Sequence, residues 1–160
     1  MRSIPTTVFD PQLAVSLAET DALLRAANLV VHPLVSRVVL HGSRGPARRF
    51  RPESDIDLSL IVEIAQDENI ESLLEEVVRT TMDQWQSEIE LDLAVIFDLK
   101  KCGLKCFEQT TWDADFCRIG GVDCFGLYKT QKGFNGLVTN AGIQVRLMYP
   151  CLKIWQRNKK

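Results

Sequence analysis

The sequence predicts a single α+β domain. Its 160 residues are about the size of one domain, and 46% hydrophobic with 25% charged residues is ordinary for a chain with one core. Two kinds of hydrophobic periodicity follow one another. Stretches with apolar residues at every third or fourth position, typical of amphipathic helices, are separated by stretches in which apolar and polar residues alternate, typical of strands.

Three stretches have helical spacing. Residues 10–27 begin with Asp10 as a candidate N-cap, followed by Pro11, and their apolar stripe would face a sheet. Residues 67–85 form a longer amphipathic stretch that would cross over the sheet. We expect a last helix near the C-terminus, strained by Pro150. Its apolar positions are Ile143, Leu147, Met148, Leu152 and Trp155.

Three other stretches predict strands. Residues 37–40 (RVVL) are apolar and rich in valine, and they lead directly into the turn sequence GSRGP at 42–46. Residues 55–62 (DIDLSLIV) and 88–97 (EIELDLAVIF) alternate apolar and polar positions, as strands with one buried face do. The order is therefore strand, tight loop, strand, crossing helix, strand.

Three carboxylates could meet at the mouth of this sheet. Asp55 and Asp57 project from one face about 7 Å apart along the strand, and they repel unless a cation lies between them. Asp92 lies on the polar side of the following strand, which would be about 4.8 Å away as a direct neighbour. Magnesium prefers hard oxygen ligands and completes its shell with water and substrate phosphates. The pattern favours a site with two metal ions for in-line displacement at phosphorus.

The loop between the first two strands is a candidate anion site. Gly42 leaves backbone N–H groups uncovered, and Ser43 adds a hydroxyl donor. The neighbouring His41 is more readily explained as a packed histidine than as a phosphate ligand. Each feature has an ordinary structural reading as a turn, a cap or a solvated charge, but their ordered combination favours a polyphosphate substrate. The loop also contains four arginines: Arg44, Arg48, Arg49 and Arg51.

Charge, hydropathy and cysteine content narrow the class of protein. A net charge of -2 and a pI of about 5.7 do not indicate a nucleic-acid-binding surface, and no apolar run approaches the roughly 20 residues of a membrane span. Five cysteines without a secretory signal predict a cytoplasmic protein with free thiols, and their spacing is not that of a zinc finger or ribbon. They are Cys102, Cys106, Cys117, Cys124 and Cys151.

Two segments, LHGSRGPARRFRPESDIDLSLIV and ELDLAVI, resemble the nucleotidyltransferase superfamily typified by DNA polymerase beta, and most closely its minimal bacterial and archaeal members. The shared pattern is Gly-Ser after the first strand, Asp-x-Asp at the head of the second, and a third acidic residue on a following strand. The resemblance covers residues 38–97 of one domain spanning 1–160, and leaves about 101–160 as a short C-terminal extension. It implies a small mixed β-sheet with helices packed mainly on one face.

The resemblance also implies an activity. It predicts magnesium-dependent transfer of a nucleoside monophosphate from an NTP, which we expect to be ATP, to a hydroxyl of a protein or small molecule, with release of pyrophosphate. Two Mg²⁺ ions would take part, and Mn²⁺ could replace them. The catalytic, metal-binding residues would be Asp55, Asp57 and Asp92, with Asp92 as base or orienter of the acceptor hydroxyl. The nucleotide-binding residues would be Gly42, Ser43 and Arg44.

Two alternatives remain open at this point. Minimal nucleotidyltransferases are often encoded beside a helical HEPN protein, so this chain could be an antitoxin that silences such a partner by binding. A metal-dependent nuclease would also use paired carboxylates, but it has no need of a triphosphate cradle. About sixty residues follow the core, too few to enclose an acceptor, so we expect a HEPN-type partner or a second copy in a homodimer, and neither a membrane nor a nucleic acid.

Overall fold

This computed structural model describes residues 6–7, 17–42, 45, 54–64, 70–99, 101–112, 124–131, 134–138 and 148–157. In chain order the elements are β1 (Thr6–Thr7), α1 (Ala18–Ala26), β2 (Val30–Val31), β3 (Val35–His41), β4 (Ile56–Val62), α2 (Ile70–Met82), β5 (Leu91–Asp98), a 3-10 helix (Lys105–Glu108), β6 (Phe125–Gln131), β7 (Phe134–Val138) and β8 (Leu152–Gln156).

Six of the strands form one mixed sheet in the order β7-β6-β5-β4-β3-β8, and β1 pairs with β2 separately. Strands β4 and β5 run parallel, whereas the other neighbours in the sheet are antiparallel. Parallel neighbours cannot be joined by a tight hairpin, so the chain leaves β4 and returns through α2 to begin β5 on the same side. This is the crossing helix that the sequence predicts.

The two faces of the sheet are covered differently. Side chains alternate along a strand, so Leu58 and Leu60 of β4 enter one core while Ile61 enters the other. The first core also receives Leu24 of α1 and the buried face of α2, which includes Leu74. In the described part of the chain, both α-helices therefore pack on one face, and the fold is α+β with a mixed sheet. The opposite face carries a smaller core that includes Phe107, Phe125 and Cys151.

The residues after position 100 complete the sheet. Strands β6 and β7 extend it beyond β5, and β8 pairs with β3 at the other edge. The three predicted strands are confirmed within β3, β4 and β5, and the first two predicted helices overlap α1 and α2. The predicted cap at Asp10 and Pro11 lies outside the described residues.

The predicted C-terminal helix is wrong from Leu152 onward, because Leu152–Gln156 form strand β8. A register shift in its pairing with β3 leaves Ile154 as an extra residue on the β8 side. Ile154 and its neighbour Trp155 both pack in the core on the helix side of the sheet. The shift thus breaks the two-residue alternation of a strand and produces apolar spacing that resembles a helix.

Two further expectations concern membranes and thiols. Among the described residues, no helix is long and apolar enough to cross a membrane. Four cysteines are free thiols, with Cys102 exposed and the other three buried. Cys106, Cys124 and Cys151 belong to the smaller core, where they act as apolar packing groups. Cys117 lies outside the described residues.

The anchoring of α2 gives a test of this packing. Leu74 is fully buried between the helix and the sheet, so Leu74→Ala should lower the free energy of unfolding by about 3 kcal/mol through lost burial and the resulting cavity. Ser72→Ala, on the exposed side of the same helix, should change it by less than about 0.5 kcal/mol. Urea unfolding followed by circular dichroism measures both, and similar losses in the two variants would contradict the assigned helix face.

Candidate functional site

Gly42 begins the turn at the end of β3 and lies against the side chain of Asp57. Its backbone has φ +74°, in the left-handed region that favours glycine, and Gly45 N–H donates to its carbonyl at 3.0 Å. A Cβ added at Gly42 would overlap the Asp57 carboxylate oxygen Oδ2. The turn therefore needs glycine both for its conformation and for the approach of the carboxylate.

Asp57 and Asp92 form a pair across the two parallel strands. They lie directly opposite each other in the β4–β5 register, on the face that the helices do not cover. When Asp57 is protonated, its carboxyl group can donate a hydrogen bond to Asp92. Burial first, then the hydrogen bond with Asp92 and the charge of Asp92, raise the pKa of Asp57 from 3.8 to about 6. Below about pH 6, and without a cation, the pair therefore holds one proton between the two carboxyl groups.

Asp55 is the third predicted ligand and precedes β4 in the chain. Its negative charge makes the smallest of the contributions that raise the pKa of Asp57. Within the described ranges, no group of three or more His, Cys, Asp or Glu side chains is arranged to hold a metal ion. The structure thus brings Asp57 and Asp92 together, while a ligand role for Asp55 stays a prediction. Ser43 and Arg44 lie outside the described residues, as do the other loop arginines.

The chemistry of the pair nevertheless fits a divalent cation. Magnesium is commonly bound by one or two carboxylates together with water and substrate phosphates, and does not need a full cage of protein ligands. Asp57 and Asp92 offer hard oxygens from adjacent strands, and the close Asp57–Gly42 contact limits how far the first carboxylate can move. A cation between them would replace the shared proton and remove the repulsion between the two charges.

His41 connects three segments around the pair. Its Nδ1–H donates to the Met148 carbonyl at 2.9 Å, and its Nε2 accepts from the Ser59 hydroxyl at 2.8 Å. A carbonyl can only accept, so this geometry assigns the proton to Nδ1. Burial lowers the pKa of His41 to about 4, partly opposed by the hydrogen bond to Met148. His41 is therefore a neutral, packed histidine, as the sequence favours.

These groups line a cleft of about 340 Å³ on the sheet face opposite the helices. Its floor contains the carboxylate pair. One wall comes from Met148, Tyr149 and Pro150, which lie in the C-terminal extension, outside residues 38–97. Two contacts fix the Tyr149 side chain, because it stacks on Phe107 and donates a hydrogen bond to the Cys106 carbonyl. The C-terminal extension thus supplies part of the cleft within the same chain.

Lys129 also lines this cleft, and the sequence analysis did not identify it. It lies on β6 opposite Ala94 of β5, and its positive charge lowers the pKa of both Asp57 and His41. The only sequence signal was a lysine in an alternating stretch, FGLYKTQ, in a region with weak periodicity. The cleft therefore contains two carboxyl groups, which can bind a metal ion, and a lysine ammonium, which can bind an anionic group.

Comparison of the chain with models of known protein families, with curated proteins and with solved structures found no match.

The contact between Gly42 and Asp57 can be tested by adding a methyl group. Gly42→Ala should cost about 3 kcal/mol of unfolding free energy, because it combines a strained positive φ with overlap of the Asp57 carboxylate. Gly103→Ala is the matched control. Its φ is +86°, but its nearest neighbours are side-chain atoms of Lys105 at 3.7 Å or more, so only the strain of about 1 kcal/mol should appear.

Denaturant titration of both variants measures the difference. In the Asp57→Ala background, measured against Asp57→Ala alone, Gly42→Ala should cost only about as much as Gly103→Ala does in the natural protein. Equal losses in the two glycine variants, or no recovery in the double variant, would contradict the close approach of Asp57 to the turn.

The raised pKa of Asp57 makes stability depend on pH. The folded-state value of about 6 lies above the ordinary 3.8, so the folded protein holds this proton more tightly, and ionisation destabilises it as pH rises from about 4 to 6. Asp57→Asn removes this cost. Discounted for partial exposure, the variant should be about 1 kcal/mol more stable than the natural protein at pH 8, with the gap closing near pH 4.

Urea midpoints measured between pH 4 and pH 8 in the absence of divalent cations give this gap. Asp83→Asn changes an exposed carboxylate after α2 in the same way and should show no such trend. A gap for Asp57→Asn that is constant with pH would contradict the shared proton.

Proposed function

We propose that this protein is a magnesium-dependent nucleotidyltransferase with a nucleotidyltransferase fold, which transfers a nucleoside monophosphate from an NTP to an acceptor hydroxyl. The observation that carries the proposal is the direct register of Asp57 and Asp92, with the backbone of Gly42 against the Asp57 carboxylate. It joins the candidate metal ligands and the candidate phosphate loop at one point of the sheet.

The order of elements supports the same proposal. The glycine turn follows β3, the Asp-x-Asp segment enters β4 antiparallel to it, and α2 returns the chain to β5 parallel to β4. The resemblance to nucleotidyltransferases implies the same order: a glycine turn, then acidic residues on two strands of a mixed sheet that has helices on one face. The other face bears the cleft, so the acidic pair is accessible to a substrate.

The residues receive distinct roles in this proposal. Asp57 and Asp92, with Asp55, would hold magnesium, which when bound neutralises phosphate oxygens and lowers the pKa of an attacking hydroxyl. Backbone N–H groups at Gly42 with Ser43 and Arg44 would hold the triphosphate. Asp92 orients the acceptor hydroxyl and takes its proton as the hydroxyl oxygen bonds to the α-phosphorus. The bond from that phosphorus to the bridging oxygen breaks, and pyrophosphate leaves.

His41 would act as a positioning residue. Its two hydrogen bonds tie the end of β3 to β4 and to the wall at Met148, and because it stays neutral it adds no charge near the phosphates. The choice of ATP, the replacement by Mn²⁺, a cytoplasmic location, and a HEPN-type or homodimeric partner stay predictions from the sequence.

The proposal predicts a magnesium-dependent reaction that requires the acidic pair. Incubation of the protein with each labelled NTP, Mg²⁺ and products of its neighbouring genes should give pyrophosphate and a labelled acceptor. Asp57→Asn should reduce the rate by about a thousandfold, since it removes a charge that must act in the transition state. Asp83→Asn, on an exposed residue outside the cleft, should retain the full rate.

No binding and no consumption of any NTP in the presence of Mg²⁺ would overturn the proposal. Capture of a helical partner that is equally strong in Asp57→Asn, without any transfer, would favour the alternative of an antitoxin that acts by binding.

A further inference from the structure

Lys129 faces the acidic pair from a neighbouring strand. On β5, Asp92 and Ala94 are two residues apart and share a face, and Lys129 lies opposite Ala94 in the β5–β6 register. The lysine is half-buried in the wall of the cleft that contains Asp57 and Asp92. Its charge lowers the pKa of Asp57 and of His41, so its field reaches both sides of the cleft.

The Lys129 ammonium has no direct partner within the described part of the chain. Among the described residues, no ion pair and no hydrogen bond of the Lys129 ammonium is present. Asp57 and Asp92 are the acidic groups that share its cleft, and neither forms an ion pair with Lys129. A half-buried ammonium without an ion pair has lost part of its hydration, so an anionic ligand in the cleft would compensate for that loss.

We infer that Lys129 is a substrate-binding residue for the terminal phosphates of the nucleotide, and for the pyrophosphate as it departs. This inference rests on the proposed function, which places the reacting α-phosphate at Asp57 and Asp92. The acidic pair lies between the Gly42 turn and Lys129 in the strand order, so Lys129, the cation among the described lining residues of the cleft, would contact the phosphates from the side opposite the turn. An ammonium donates up to three charge-assisted hydrogen bonds to phosphate oxygens, and its charge offsets that of the leaving pyrophosphate.

A merely structural role for Lys129 would be to offset the charge of the acidic pair. The two roles differ in what they predict. If Lys129 only offsets the carboxylates, its removal shifts the pH dependence of the protein and leaves phosphate binding unchanged. If it binds phosphate, its removal weakens the binding of a polyphosphate that carries no nucleoside.

The test measures binding of inorganic tripolyphosphate with Mg²⁺ by calorimetry, next to KM and kcat for the NTP. Lys129→Met should weaken tripolyphosphate binding and raise KM by about tenfold each, whereas Lys129→Arg keeps the charge and should restore most of both. Lys153→Met is the matched control, because this strand lysine pairs with Glu108 outside the cleft, and it should leave both values unchanged. Circular dichroism and urea midpoints confirm that each variant is folded.

Wild-type affinity for tripolyphosphate in folded Lys129→Met, or equal losses in Lys129→Met and Lys129→Arg, would overturn the inference. If NTP turnover depends on Asp57 but not on Lys129, the proposed function stands and the inference fails. If tripolyphosphate binding depends on Lys129 while no NTP is consumed, the cleft binds polyphosphate through Lys129 and the proposed function fails.

Discussion

The parallel register of β4 against β5 is the constraint on which the site depends. It sets Asp57 opposite Asp92, and the raised pKa of Asp57 follows in part from that position. A slip of one residue would turn Asp92 to the helix side of the sheet, because strand side chains alternate. The long apolar run of both strands prevents the slip, since every apolar side chain except Ala94, which lines the cleft, already packs in one of the two cores.

One face of the sheet carries most of the apolar packing, and the other carries the cleft. The larger core, between the sheet and the helices, includes Leu74 and Leu24 and contains most of the buried apolar side chains. The opposite face has the smaller core around Phe107 at one part and the cleft at another. A pair of like carboxyl groups destabilises the folded chain, and burial on the helix side offsets that cost. The fold therefore tolerates two like carboxyl groups in the cleft.

The cleft is assembled from segments far apart in the sequence. His41 links β3 to Ser59 of β4 and to Met148, which is 107 residues later in the chain. Lys129 reaches the cleft from β6, and the wall at Tyr149 is held by stacking on Phe107. The C-terminal extension is thus part of the same sheet and the same cleft. This arrangement places positive charge and an apolar wall beside an acidic floor, which suits a ligand with both anionic and apolar parts.

The sequence by itself determined the strands β3, β4 and β5, the crossing helix α2, and the three acidic candidates, because alternation and helical spacing are local properties. It did not determine β8, since a register shift disguised its alternation, nor the role of Lys129, since only strand pairing brings β6 beside β5. Gly42 was identified as a turn glycine, but its contact with Asp57 became visible only in the tertiary structure. Periodicity shows which side chains share a face, whereas the distance between two faces or charges depends on pairing between distant segments.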